Sequence, residues 1–258
     1  MKLSILTIAF FTTTFFFSCT NAQSNTESQT QTQPQSQPVQ NATMNDNFHF
    51  SLQTAHPNAQ ALMSEEFYWS PIEETAPFGS DDGSDAAYGF KEWRFTHPAS
   101  SPVSYLDDLI RSWHYPPFNL NELDSSKIKE YITHKADLDE TTIRERMEMM
   151  KEINRTSQDG SVKIDDDQLR EMVIQTANGM GTSYLQGMDD AIVGIGFAQF
   201  VMEGHIDKDM KALTITAMKR ELLPIMLSHY VEGYRDRRKM LLTKMMEVVN
   251  KAQTQQDK

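Results

Sequence analysis

Between Ser183 and Met202 the chain is apolar on nearly every side of a helical wheel, through Ala191, Ile192, Val193, Ile195, Phe197, Ala198, Phe200 and Val201. A helix of that kind is stable only when it is surrounded. Asp189 and Asp190 near its start and its short apolar length argue against a bilayer, so the surroundings should be protein. Gly187, Gly194 and Gly196 lower helix propensity and are read as places where a neighbouring backbone comes close.

A central helix needs amphipathic partners, and the flanking sequence supplies them. Helical spacing is present over Val103 to Trp113, stopped by Pro116-Pro117, and over Ser125 to His134 through Ile128, Tyr131 and Ile132. It recurs over Thr141 to Ile153, from near Asp165 through Leu169, Met172 and Val173, from Asp207 to Tyr230 with a kink expected at Pro224, and from Val231 to about Ala252. Phe48, Phe50 and Leu52 alternate with polar residues, which suggests one short strand or extended arm. The expectation is a mainly α fold: a single helical domain over 46–258 with a short extended N-terminal arm.

Ahead of it, Lys2, an apolar run from Leu3 to Phe17 and Ser18-Cys19 have the form of a signal peptide over 1–18, too short to span a membrane. Cys19 is the single cysteine, so no internal disulfide forms, and Phe16-Phe17-Ser18-Cys19 reads as a lipobox with Cys19 the lipidated residue. Ordinary signal peptidase cleavage near Thr20-Asn21-Ala22 is the alternative. Residues 19–45, rich in Gln, Ser, Thr and Pro, cannot bury enough apolar surface to offset their ordering entropy and read as a disordered tether.

The formal charge of −12 lies wholly in the domain, because Lys2 and Glu27 cancel before it begins. Nucleic acid is therefore excluded as a partner, since phosphate binding needs clustered Lys and Arg, and a basic protein or peptide is favoured. Aromatic rings and carboxylates interleave most densely from Glu65 to Arg94. One reading is structural: Ser84 or Asp82 caps a helix starting about Asp85, and Phe90 and Trp93 pack inward. A second uses Asp81, Asp82 and Asp85 as oxygen ligands for calcium or another divalent cation, with Gly79 and Gly83 allowing tight turns. The third is a recognition surface with Trp69, Tyr88 and Trp93 as rigid anchors, framed by acids that select a basic partner.

Other patterns carry less. Ser157-Gln158-Asp159-Gly160 with Asp165 to Asp167 has an EF-hand look, but aligning its glycine puts Arg155 at the first ligand position and Asp166 where a bidentate Glu belongs. The histidines show no pair at zinc-protease spacing, and no nucleophile elbow, phosphate loop or dinucleotide fingerprint is present. Arg235, Arg237, Arg238, Lys239 and Lys244 beside a Met-rich side offer a docking face for an anionic membrane or acidic partner.

The run from Phe67 to Arg94, the block from Gly179-Met180-Gly181 through Ala198-Gln199-Phe200, and Arg220-Glu221-Leu222-Leu223-Pro224 resemble the bacterial YfeS-like proteins, a family without an established activity. The resemblance covers most of the domain and implies no catalytic residue. Ser18-Cys19-Thr20-Asn21 is similar to Bacteroidota lipoproteins, and without acids directly after the cysteine it lacks their surface-export signal, which implies a periplasm-facing anchor. The functional expectation is a lipid-anchored envelope protein that binds a protein or peptide; the alternative is a divalent-cation-dependent enzyme using Asp81, Asp82 and Asp85.

Overall fold

Helix α7 (Gly181–Glu203) is the axis of the molecule: every residue from Ala191 to Val201 is buried. Its 23 residues span about 35 Å at the ordinary helical rise. No helix among the described residues is long and apolar enough to cross a membrane. The structure, a computed structural model, describes residues 48–135, 138–156 and 165–255. The leader, Cys19, the tether and residues 157–164, with the Ser157-Gln158-Asp159-Gly160 run read there, lie outside them.

The elements run α1 (Pro57–Leu62), a 3₁₀ turn (Glu66–Trp69), α2 (Asp81–Thr96), α3 (Pro102–Ser112), α4 (Ser125–Ile132), α5 (Glu140–Thr156), α6 (Asp166–Gly179) and α7. After α7 come β1 (His205–Asp207), α8 (Lys208–Glu221), α9 (Pro224–Leu227), α10 (Glu232–Lys251) and β2 (Gln253–Gln255). The two strands pair in parallel with Ile206 opposite Thr254, tying the end of α7 to the end of α10. The fold is mainly helical, as its periodicity foretold. Residues 48–54 form an arm without a strand: it turns at Ser51 to Thr54 and lays Phe50 into the core.

Helix α2 packs most extensively on α7, and glycine permits it. A Cβ on Gly194 would stand 2.3 Å from the carbonyl oxygen of Gly83, so the two backbones meet where neither side has a side chain. Helix α2 begins earlier than the sequence suggests, because the Ser80 hydroxyl accepts the Gly83 N–H at 3.1 Å and Asp81 and Asp82 then occupy its positive first turn. The expected kink at Pro224 is a break instead: α8 ends at Glu221 and Pro224 opens α9, its missing N–H costing nothing in a first turn. Ile128 and Ile132 of α4 join Leu185 and Met188 of α7 and Met226 of α9 in a second cluster.

Within this apolar interior lies one fully buried ion pair. Arg220 Nε of α8 reaches both oxygens of Asp189 of α7 at 3.1 and 3.0 Å, and both side chains have no solvent exposure. Arg220 Nη1 donates to the Leu120 and Glu122 carbonyls, each at 2.9 Å, and the guanidinium lies 5.1 Å over the Phe118 ring. One side chain thus fastens α8, α7 and the loop before α4. Burial pushes the Asp189 carboxyl up to about 7 against the pull of Arg220.

Arg220→Met should destabilise the fold by about 3–5 kcal/mol in urea unfolding, because it leaves a buried carboxylate unpaired. Adding Asp189→Leu should recover much of that loss. A residual of about 1–3 kcal/mol should remain, from carbonyls that lose their donor.

Candidate functional site

A cavity of about 380 Å³ opens where the first turn of α2 faces the first half of α7. Ser183, Gln186, Gly187 and Asp190 line one wall, and their spacing places all four on a single face of α7. Asp81 and Asp82 come from α2, Glu74 from the preceding loop, and Tyr230 and Arg238 close the far side. Gly187 is small for a reason: a Cβ there would come within 2.6 Å of Asp82 Oδ2, in space the carboxylate occupies.

The charges are unbalanced. Arg238 is the cation of the lining, and its Nη2 is already bonded to Glu221 while its Nη1 donates to Thr75 at 3.3 Å. Its guanidinium lies 4.9 Å over the Tyr230 ring and 3.9 Å from Asp190. Glu74 accepts a bond from the Tyr234 hydroxyl at 3.2 Å. Four carboxylates, Glu74, Asp81, Asp82 and Asp190, therefore face a cavity whose one arginine serves Glu221 first.

The titration behaviour follows. Burial, then Asp81 and Asp85, raise the Asp82 carboxyl above its ordinary range. Burial and the Glu221 carboxylate raise Asp190 much further, against Arg238 and a hydrogen bond with Ser80. Tyr230, which accepts a bond from the Gln186 amide, is raised too, chiefly by burial. Perturbed groups converging on one cavity make it the candidate binding or catalytic site.

The residues singled out from sequence fall in several places. Asp81 and Asp82 line the cavity, whereas Asp85, one turn on, is exposed and does not. The three carboxylates do not all come within 4.8 Å of one another; among the described residues only Glu203, His205 and Asp207 form such a group. Trp69 is half-buried, donating its indole N–H to the Met63 carbonyl at 2.9 Å. It is linked through Phe78 and Phe50 to Tyr88, with centroid separations of 6.4, 4.5 and 5.0 Å. Trp93 stacks on His97 at 4.7 Å. All three pack against the core and none lines the cavity.

The basic side of α10 is largely engaged: Arg238 is buried, Arg237 donates to Glu73 at 2.8 Å, and Lys244 pairs with Glu65. The docking face read from sequence is thus mostly internal pairing. Asp190, Tyr230, Arg238, Glu74 and Gln186 were missed as site residues. The available signal was a polar and small stripe, Ser183, Gln186, Gly187 and Asp190, at helical spacing on the first half of a largely apolar helix. The chain matches no protein-family model, no curated protein and no solved structure.

A carboxyl whose folded pKa is raised contributes stability that is fully present below its unfolded pKa and lost as pH rises. Asp190→Asn should therefore be more stable than the wild type at pH 8 by about 1 kcal/mol, with the difference closing toward pH 4. Thermal or urea unfolding across that range checks it.

Proposed function

We propose that this chain is a binding protein whose acidic cavity receives a cationic group, the lysine or arginine side chain of a peptide or protein partner. The observation that carries the reading is the four carboxylates around a cavity whose arginine is already held by Glu221. A guanidinium or ammonium entering there gains charge-assisted hydrogen bonds with little opposing positive charge. Asp82 and Asp190 are held ready at a cost in stability that a bound cation relieves. Ile72 and Val231, 88 % and 78 % exposed, sit on the segments that bring Glu74 and Tyr230 to the cavity and offer apolar contact to residues flanking the basic one. The lipobox at Cys19 and the Gln-rich tether support an envelope anchor with reach, facing the periplasm.

A divalent cation held by Asp81 and Asp82 is the second reading, supported by their sharing one cavity with Asp190. It differs from the sequence expectation in leaving Asp85 out, and it would be the route to cation-dependent chemistry.

Calorimetric titration with acetyl-arginine amide, against the uncharged acetyl-citrulline amide, separates the outcomes. The wild type should bind the arginine compound alone, and Asp82→Asn or Asp190→Asn should weaken binding by about 30-fold, roughly 2 kcal/mol. Affinity should fall as pH is lowered through the raised carboxyl pKa values, and binding should release protons. Equal binding of citrulline contradicts the reading; binding of calcium instead, lost in Asp82→Asn, supports the second.

A further inference from the structure

At the far end of α7, away from the cavity lining, three side chains converge for reasons the core does not supply. Gly204, at φ 74°, ends α7 in the left-handed conformation and turns the chain straight into β1. Strand alternation then puts His205 and Asp207 on one face while Ile206, fully buried, points the other way. That face meets Glu203, and one turn back on α7 lies Gln199, also fully buried.

The tautomer of His205 follows from its partners. Nδ1 lies 3.1 Å from the Glu203 backbone oxygen, and a carbonyl only accepts, so Nδ1 carries hydrogen. Nε2 is then directed at Glu203 Oε2, 3.3 Å away, and Asp207 Oδ1, 3.6 Å away. Nε2 is buried from solvent and makes no hydrogen bond of acceptable geometry. A proton there would be poorly aimed at either oxygen. Two oxygens sharing a tetrahedral ion with this nitrogen would stand about 3.3–3.4 Å from it, given metal–ligand distances of about 2.0–2.1 Å, and off the ring axis.

The surroundings fit the same reading. Gln199 Nε2 donates to Glu203 Oε2 at 2.9 Å and Asp207 Oδ1 at 2.8 Å, and the Asp207 N–H donating to Gln199 Oε1 fixes which way that amide faces. Arg94 Nε forms an ion pair with the other Glu203 oxygen, Oε1, at 2.7 Å, without hydrogen-bond geometry. Asp207 occupies the N-cap of α8, where an aspartate ordinarily bonds the first-turn N–H groups, yet its carboxylate makes no capping bond and faces this group instead. A supporting hydrogen bond behind each carboxylate and a carbonyl behind the imidazole are what metal-binding side chains use to hold their orientation.

We propose that Glu203, His205 and Asp207 bind a divalent first-row transition ion, of which zinc is the probe, through one imidazole nitrogen and two carboxylate oxygens. Three protein ligands leave a fourth position open. The ion would tie the end of α7 to β1 and so to β2 and the end of α10. The site shares no residue with the acidic cavity and does not depend on the binding function proposed for it.

Native mass spectrometry and calorimetric zinc titration of the full chain, stripped beforehand with chelator, test this. The wild type should take up one zinc, removable by chelator. His205→Asn and Asp207→Asn should each weaken binding by at least about 100-fold, while Asp82→Asn should leave it unchanged. Far-UV circular dichroism in chelator establishes that the variants are folded, and if Asp207→Asn is not, the partly exposed His205 position decides the matter. Cobalt in place of zinc should give the visible bands of a four-coordinate ion in the wild type and none in His205→Asn. No zinc on the wild type would overturn the proposal. Zinc retained at full affinity by folded His205→Asn, or lost in Asp82→Asn, would overturn it equally.

Discussion

The rest of the structure hangs on a chain of alternating charges driven through its interior. Asp189 and Asp190 are adjacent on α7, and Arg220 and Glu221 are adjacent on α8. Arg220 holds Asp189, Glu221 holds Arg238 of α10, and Arg238 lies 3.9 Å from Asp190. Ionised groups are expensive to bury; Asp189 and Glu221 each have a hydrogen-bonded arginine, whereas Asp190 has only the more distant Arg238. Adjacent residues on a helix diverge by about 100°. Locking Asp189 into its pair therefore turns Asp190 toward the cavity, and locking Arg220 turns Glu221 toward Arg238.

The acidic cavity is thus a by-product of the core's own charge pairing. Its lone arginine is the last member of the chain and is half spent before the cavity is reached. What is left over is negative and incompletely solvated, which is why Asp82 and Asp190 both titrate above their ordinary range. On the proposed reading, that leftover charge is a preorganised complement for a cation. The Gly187 position shows the same bias, since it sacrifices helix propensity to keep room for the Asp82 carboxylate.

How much of this the sequence disclosed depends on the range of the interaction. The all-round apolar character of α7 and the close approach at Gly194 were legible, because periodicity and glycine placement are local signals. So were the stretches of α3, α4, α6 and α10. The start of α2 was misplaced because three residues near it, Ser80, Asp82 and Ser84, are all competent caps, and only the fit of Gly83 against α7 selects Ser80. Strands of three residues, held by one parallel pairing between ends far apart in sequence, carry no periodicity to read. The cavity was seen from one side only: Asp81 and Asp82 stand out in an acidic run, but Asp190, Tyr230 and Arg238 come from separate segments and are ordinary until the fold assembles them. Gln199 and the run Glu203-Gly204-His205-Ile206-Asp207 did carry a pattern, ligand types alternating behind a helix-ending glycine, which a search for helical histidine pairs passes over.

The most direct test of the central claim is carbon-13 NMR of the Asp82 and Asp190 side-chain carboxyls, titrated with pH in the absence and presence of acetyl-arginine amide. Both carboxyls should titrate above the ordinary aspartate range in the free protein and move downward together when the cation is added. Carboxyls that titrate normally, or that are elevated but indifferent to the cation, would contradict the account.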